Sequence, residues 1–191
     1  MHKKVIVLLA EGSEEVEVIT PIDYLRRAGF EVTIAAVAPE NYVKGSHGIE
    51  LGANATLESL AKEKKLSASG WDAVVVPGGM GGSLNIAASK TAGAFLKEMA
   101  GAGKLVCAIC AAPAKVLFPL GLLAGKKFTC YPGEEENVKD PSAMWVQDRV
   151  VTDGNLITSR AAGSAGEFAC AIVAKLVSEA EAKILSERVL L

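Results

Sequence analysis

Three short apolar runs constrain this chain more than anything else in it. They are KVIVLLA at residues 4–10, the run from Trp71 to Val76, and LVCAI at 105–109. A strand with one wet face alternates polar and apolar residues. Runs of this length without alternation belong to strands buried on both faces, as in a parallel sheet covered by helices. Helical patterns lie between them, which is the order of an α/β fold with a mostly parallel sheet and helices on both faces.

The intervening elements follow from local signals. Ser13 can cap a helix from Glu14 to Ala28, with Glu14 and Glu15 where the helix dipole favours acids. Pro21 is expected to kink that helix, and Gly29 to end it before a strand from Phe30 to Ala36. Residues 39–55 read as loop, with a short strand or hairpin around Ile49 to Leu51. Helices are expected over Leu57 to Lys65 and Leu84 to Ala100, and another begins at Ala111 to Leu117. Phe128 to Cys130, Arg149 to Thr152 and Asn155 to Thr158 are candidate strands, the last two joined by an Asp153-Gly154 turn. Gly166 to Val177 and Glu179 to Arg188 close the chain as helices.

Length, charge and cysteines narrow the setting. The chain has 191 residues, within the ~100–200 of a single domain, so residues 1–191 are expected to form one. Twenty basic and 22 acidic side chains leave a formal charge of −2, with no basic patch to track phosphates, so nucleic acid is not an expected partner. No apolar run reaches the ~20 residues that span a bilayer. Acids follow the first apolar run at once, so it reads as strand one of a cytoplasmic protein, not as a signal peptide. Cys107 and Cys110 form a C-x-x-C, but only His2 and His47 are available to complete a zinc site, and none is expected. A thioredoxin-like pair would open a helix, whereas Cys107 lies inside LVCAI and reads as buried in the sheet.

Ligand sites of parallel α/β sheets lie outside the carboxyl ends of the strands. Three loops reach that edge: Glu11 to Glu17, Pro77 to Ser83, and Cys110 to Pro113. In the last, an apolar strand runs straight into a cysteine followed by Ala-Ala-Pro, like the strained turn that presents a hydrolase nucleophile. A helix start would favour thiolate and lower the thiol pKa from ~8.5. Spacing alone leaves two readings of Cys110, a reactive thiol and a small buried one. In PGGMGG the paired glycines let backbone amides approach a ligand, as an oxyanion hole does, or simply make a flexible turn. A lone Glu17 reads first as a solvated helix face. Turned toward Cys110 it would be desolvated, its pKa raised, and when protonated it could donate to a thiolate.

LAEGSEEVE, VVVPGGMGG, AICAAP and ITSR, in this order and spacing, resemble the ThiJ/PfpI superfamily, and within it the branch of the parkinsonism-associated deglycase. The resemblance covers residues 4–178. It implies a flavodoxin-like three-layer sandwich and a homodimer. It also implies Cys110 as nucleophile, Glu17 as its hydrogen-bonding carboxyl, and Gly78 and Gly79 as the oxyanion hole, beside Ala111. Arg27 and Arg160 match basic positions near the dimer-proximal side of the pocket, and His47 stands at another. Members of this branch are described as cofactor-independent glyoxalases, as deglycases, and as oxidative-stress sensors.

Departures from the pattern shape the expectation. Protease-like relatives carry histidine after the nucleophile, where this chain has Ala111, so proteolysis has the least support. A His-Pro pair near the cysteine reads Tyr131-Pro132 here, and GPGT after the Ser-Arg reads Ala161-Ala162-Gly163-Ser164. Two functions remain open: a cysteine-dependent glyoxalase or deglycase acting on a small aldehyde, and a redox sensor in which Cys110 is oxidised to sulfenic and sulfinic acid. Cys130 reads as buried, with a resolving role as the alternative, and Cys170 as core.

Overall fold

Residues 3–191 are described in a computed structural model of the chain. His2, weighed above as a zinc ligand, lies outside the described residues. The strands are β1 (Lys4–Leu9), β2 (Glu31–Ala36), β3 (Tyr42–Lys44), β4 (Glu50–Gly52), β5 (Ala55–Thr56), β6 (Ala73–Val76), β7 (Leu105–Ile109), β8 (Lys127–Phe128), β9 (Met144–Trp145), β10 (Val150–Asp153) and β11 (Leu156–Ser159). The α-helices are α1 (Glu15–Arg27), α2 (Leu57–Lys62), α3 (Met80–Ala88), α4 (Lys90–Gly101), α5 (Ala165–Leu176) and α6 (Glu179–Val189).

The main sheet runs β10-β11-β7-β6-β1-β2-β5, and every pair is parallel except the β10–β11 hairpin. Val7, Val75, Cys107 and Ile157 stand in one register row across four strands. That row belongs to a core with Val18, Ile22 and Leu25 of α1 and with Phe168 and Ile172 of α5. The alternate residues Ile6, Leu8, Val74, Val76 and Val106 face the other way, into a core with Leu57, Ile86, Phe95, Leu96 and Met99 from α2, α3 and α4. Both strand faces are dry, as the unbroken apolar runs require. The fold is thus the flavodoxin-like α/β sandwich. Among the described residues no helix is long and apolar enough to cross a membrane.

Several boundaries differ from expectation, each for a local reason. α1 is capped by the Glu14 carboxylate, which accepts the Glu17 amide at 2.7 Å. Ser13 is instead fully buried, its hydroxyl accepting the Ala10 amide. Pro21 lies inside α1 without ending it. The expected helix over Leu84 to Ala100 is two, because Ser89 leaves helical geometry and its side chain caps α4 through the Ala92 amide. α3 begins four residues early, inside PGGMGG. Residues Pro113–Leu117 form a π-helical turn.

Chain order sets where a site can form. From β1 the chain builds outward through β2 to β5, then returns to β6 beside β1 and builds the other way. The strand order reverses at β1 and β6, where the carboxyl-end crevice opens. The loop before α1, the β6–α3 turn and the residue after β7 all meet there.

Candidate active site

Cys110 follows β7 directly and takes φ +65°, a left-handed conformation in which a non-glycine residue is strained. Two backbone bonds hold it. Its N–H donates to the Ser159 carbonyl at 2.9 Å, and its carbonyl accepts the Tyr131 N–H at 2.8 Å. The turn lifts the side chain out of the sheet row, so Cys110 is half-buried while Cys107, three residues earlier, is fully buried.

The turn after β6 is built to let other groups come close. A Cβ on Gly78 would lie 2.5 Å from the Cys110 Cβ, 2.5 Å from Glu17 Oε2 and 2.9 Å from the Ile109 carbonyl. Gly79 has φ +78° and packs against the Gly12 carbonyl and the Glu14 amide. The Glu14 N–H donates to the Gly78 carbonyl at 3.1 Å, locking this turn to the start of α1.

Glu17 is 1% exposed. Its Oε2 accepts the Gly78 N–H at 2.9 Å, the Ala162 amide also donates to it, and its carboxyl is hydrogen-bonded with the Cys110 thiol. Burial raises its pKa to about 7, against the thiol bond, and the Glu14 charge raises it further; the two amides oppose the rise. The Cys110 thiol is pushed up to about 12, first by burial and then by the Glu17 charge, while the Gly79 and Ala111 amides pull it down. This corrects the expectation of a thiol depressed by a helix start. Dehydration outweighs the local amides, and no α-helix begins at Cys110. The two acids also cannot both be charged at this distance, so they titrate as a pair. With Glu17 at about 7 and the thiol at about 12, the singly charged pair holds its proton mainly on sulfur, and a thiolate forms when Glu17 takes that proton.

The oxyanion assignment also changes. The Gly78 amide is taken by Glu17, so the donors facing the sulfur are the amides of Gly79 and Ala111. Tyr131 meets Cys110 through its backbone, and its ring is half exposed. Arg160 sits next to the Ser159 clamp, its Nη1 donating to the Gln147 carbonyl at 3.1 Å. Arg27 is not brought to Cys110 within the chain. It closes α1, ten residues or about 15 Å from Glu17, and pairs with Asp23 at 2.7 Å. His47 reaches Glu15 and Glu14 at the start of α1. Among the described residues no cysteine joins a cluster of three ligand-type side chains. Cys130 is fully buried, its thiol pushed up to about 12 by burial and then by Glu135 and Glu134. Cys170 is half-buried.

Sequence reasoning missed two groups here. The Ala162 amide reaches Glu17 from the short 3-10 turn Ala162–Ser164, and an amide carries no residue-type signal. Glu15 is buried and clasped by the 45–49 loop. From sequence it reads only as an acid favoured by the helix dipole, with nothing to mark the loop that closes on it.

Residues 3–175, nearly the whole chain, match the DJ-1/PfpI family. The chain belongs to the DJ-1/PfpI family. It is 40% identical over 180 residues to Protein dj-1beta of Drosophila melanogaster, covering 94% of this chain and 92% of that protein. It is also 40% identical over 187 residues to Protein DJ-1 homolog A of Arabidopsis thaliana, covering 98% of this chain. The chain spans only 46% of that plant relative. Deglycase PH1704 of Pyrococcus horikoshii is 33% identical over 157 residues, 82% of this chain and 89% of that one. Among solved structures, the VC2308 protein superposes with a TM-score of 0.92 at 38% identity, covering all of this chain and 94% of the other. Oxidized Toxoplasma gondii DJ-1 gives 0.91 at 36% identity, covering 98% of each. The DJ-1/PfpI fold and the strained cysteine turn therefore coincide in one chain.

Proposed function

We propose that this DJ-1-type protein is a cysteine-dependent, cofactor-independent enzyme of the glyoxalase or deglycase type, acting on methylglyoxal or on glycated groups. The observation that carries this reading is the Cys110–Glu17 pair: a strained, half-exposed thiol hydrogen-bonded to a buried carboxyl whose pKa stands at about 7. The relative named as a deglycase supports the substrate class.

In the proposed cycle the shared proton passes from the Cys110 thiol to Glu17 as the sulfur attacks the aldehyde carbon of methylglyoxal. The new C–S bond gives a hemithioacetal, whose oxyanion is met by the Gly79 and Ala111 amides. Glu17 then moves a proton between adjacent carbons and oxygens, which leaves a lactoyl thioester without any change in overall oxidation state. Water cleaves the C–S bond, lactate departs, and the thiol takes back its proton. Pure protein should convert methylglyoxal to lactate, and Cys110→Ser should stop it. Wild-type protein that gives no lactate above background sinks the enzyme reading.

A second reading is a redox sensor or protective protein with little turnover. One of its structural neighbours is a DJ-1 described as oxidized. A protonated Glu17 would donate to one oxygen of a Cys110 sulfinate and hold that state. Proteolysis keeps the least support, because Ala111 replaces the histidine a Cys-His pair would need. Casein hydrolysis abolished by Cys110→Ala would revive it. A single domain over residues 1–191, a cytoplasmic location and a homodimer complete the proposal. The exposed Val16 and Ile19 of α1 support the dimer.

A further inference from the structure

The 45–49 loop of the β3–β4 hairpin is fastened to the start of α1 by a single carboxylate. Glu15 Oε1 accepts the His47 amide at 2.7 Å and the Ile49 amide at 3.4 Å. Its Oε2 accepts the Ser46 hydroxyl at 3.1 Å and faces His47 Nδ1 at 2.9 Å. The same ring nitrogen lies 3.8 Å from Glu14 Oε1. Glu14 in turn caps the helix, its Oε2 taking the Glu17 amide at 2.7 Å. One imidazole thus sits between two carboxylates, and the second of these bonds the backbone of the buried acid beside Cys110.

We propose that His47 is a positioning residue for the Glu17–Cys110 pair: its charge, set between the Glu14 and Glu15 carboxylates, governs how tightly Glu17 holds its proton. The assignment rests on the reading that Glu17 and Cys110 share one proton, and it is independent of any substrate.

The sign follows from the charges. A protonated His47 offsets Glu14 and Glu15 and so favours an ionised Glu17. A neutral ring leaves the Glu14 charge unopposed beside Glu17, whose proton is then held more firmly. The groups facing His47 are Glu15 and Glu14 from α1. Its own hairpin carries Lys44 and Glu50, paired across β3 and β4, and the loop before α1 carries Glu11, whose Oε2 takes the Lys44 amide. Glu17 is faced by Glu14 from its own helix and by Cys110 from the end of β7. Glu15, its pKa brought down to about 2 by the His47 and Ile49 bonds against the effect of burial, stays ionised throughout the neutral range. It therefore anchors His47 without competing for the proton. The hydrogen bond to Glu15, and then its charge, raise the His47 pKa, so the ring keeps its charge to higher pH than a free imidazole. The ring side chain is 70% exposed and Glu17 1%, so His47 exchanges protons with solvent and relays bulk pH to a buried pair.

The test reads Glu17 directly. The full chain carrying carboxyl-13C glutamate is titrated by NMR, with the Glu17 resonance assigned by its loss in Glu17→Gln. His47→Gln keeps a donor to Glu15 but removes the charge, and should move the Glu17 midpoint up by about half a pH unit. The shift should shrink in ~1 M salt, where the Debye length is about 3 Å. His47→Arg keeps the cation and should leave the midpoint at or below that of the wild type. The pH profile of Cys110 alkylation should move with Glu17 in each variant. A Glu17 midpoint unmoved in His47→Gln, or moved the same way by Gln and Arg, overturns the assignment, since either result makes His47 a loop fastener only. These outcomes are separate from the lactate assay. Wild-type protein that makes no lactate removes the enzyme but leaves a shifted Glu17 midpoint standing.

Discussion

The Glu17 carboxyl and the Cys110 thiol share a hydrogen bond across the carboxyl edge of the sheet, one from the first turn of α1 and one from the turn after β7. The Glu17 charge raises the cost of charging the thiol, whereas the thiol's hydrogen bond eases the charging of Glu17. In the proposed reactive form a thiolate stands beside a carboxylic acid, with the Gly78 and Ala162 amides on the acid and the Gly79 and Ala111 amides on the sulfur.

Glu17 makes stability depend on pH with a defined sign. Its folded pKa is raised from 4.5 to about 7. The folded state thus binds the proton more tightly, and the benefit is complete below pH 4.5 and lost as pH rises through 7. Relative to Glu17→Gln, the wild type should lose on the order of 3 kcal/mol between pH 4.5 and 8. Urea unfolding of both proteins at several pH values reads this. Parallel pH curves would refute it.

The strain at Cys110 should be visible without any substrate. Alanine keeps a Cβ in the left-handed region and glycine does not. Cys110→Gly should be more stable than Cys110→Ala by about 1 kcal/mol, reversing the usual order of the two residues. Chemical denaturation of the pair at one pH decides it.

Gly78 has no room for a side chain, whereas Gly163 has no neighbour within 4 Å of the same position. Gly78→Ala should cost about 1–3 kcal/mol and slow Cys110 alkylation, because the new methyl displaces the thiol or the carboxyl. Gly163→Ala should fall within ~0.5 kcal/mol of wild type. Equal thermal shifts in the two variants would contradict the close approach at Gly78.

Oxidation should be site-selective. Mild peroxide is expected to add two oxygens to Cys110 and to leave Cys107 and Cys130 unmodified, since both are fully buried. Peptide mass spectrometry of native protein, and of protein unfolded in urea, gives the comparison. Cys107 and Cys130 should become oxidisable only when unfolded.

Much of this architecture was legible in the chain. KVIVLLA and LVCAI marked strands dry on both faces, and β7 spans the expected residues Leu105–Ile109. Asp153-Gly154 marked the β10–β11 hairpin, with Gly154 at φ +61° as a tight turn requires. Boundaries governed by caps were less legible. Serine at 13 and at 89 carries the same propensity, yet Ser13 is buried under the loop and Ser89 breaks one helix into two. The outcome turned on which backbone amide lay within reach.

At the site, residue order placed Cys110, Glu17 and the glycine turn at one sheet edge, but spacing alone left each with a second reading, and their expected roles came from the family resemblance. Only the tertiary structure decided who donates to whom. It gave the Gly78 amide to Glu17, brought Ala162 and Ala111 into the site through their backbones, drew Arg27 away to Asp23, and tied His47 to Glu15. It also reversed the expected direction of the thiol pKa. Dehydration and the nearness of a second acid depend on packing between elements distant in sequence, and no local pattern encodes how much water that packing excludes.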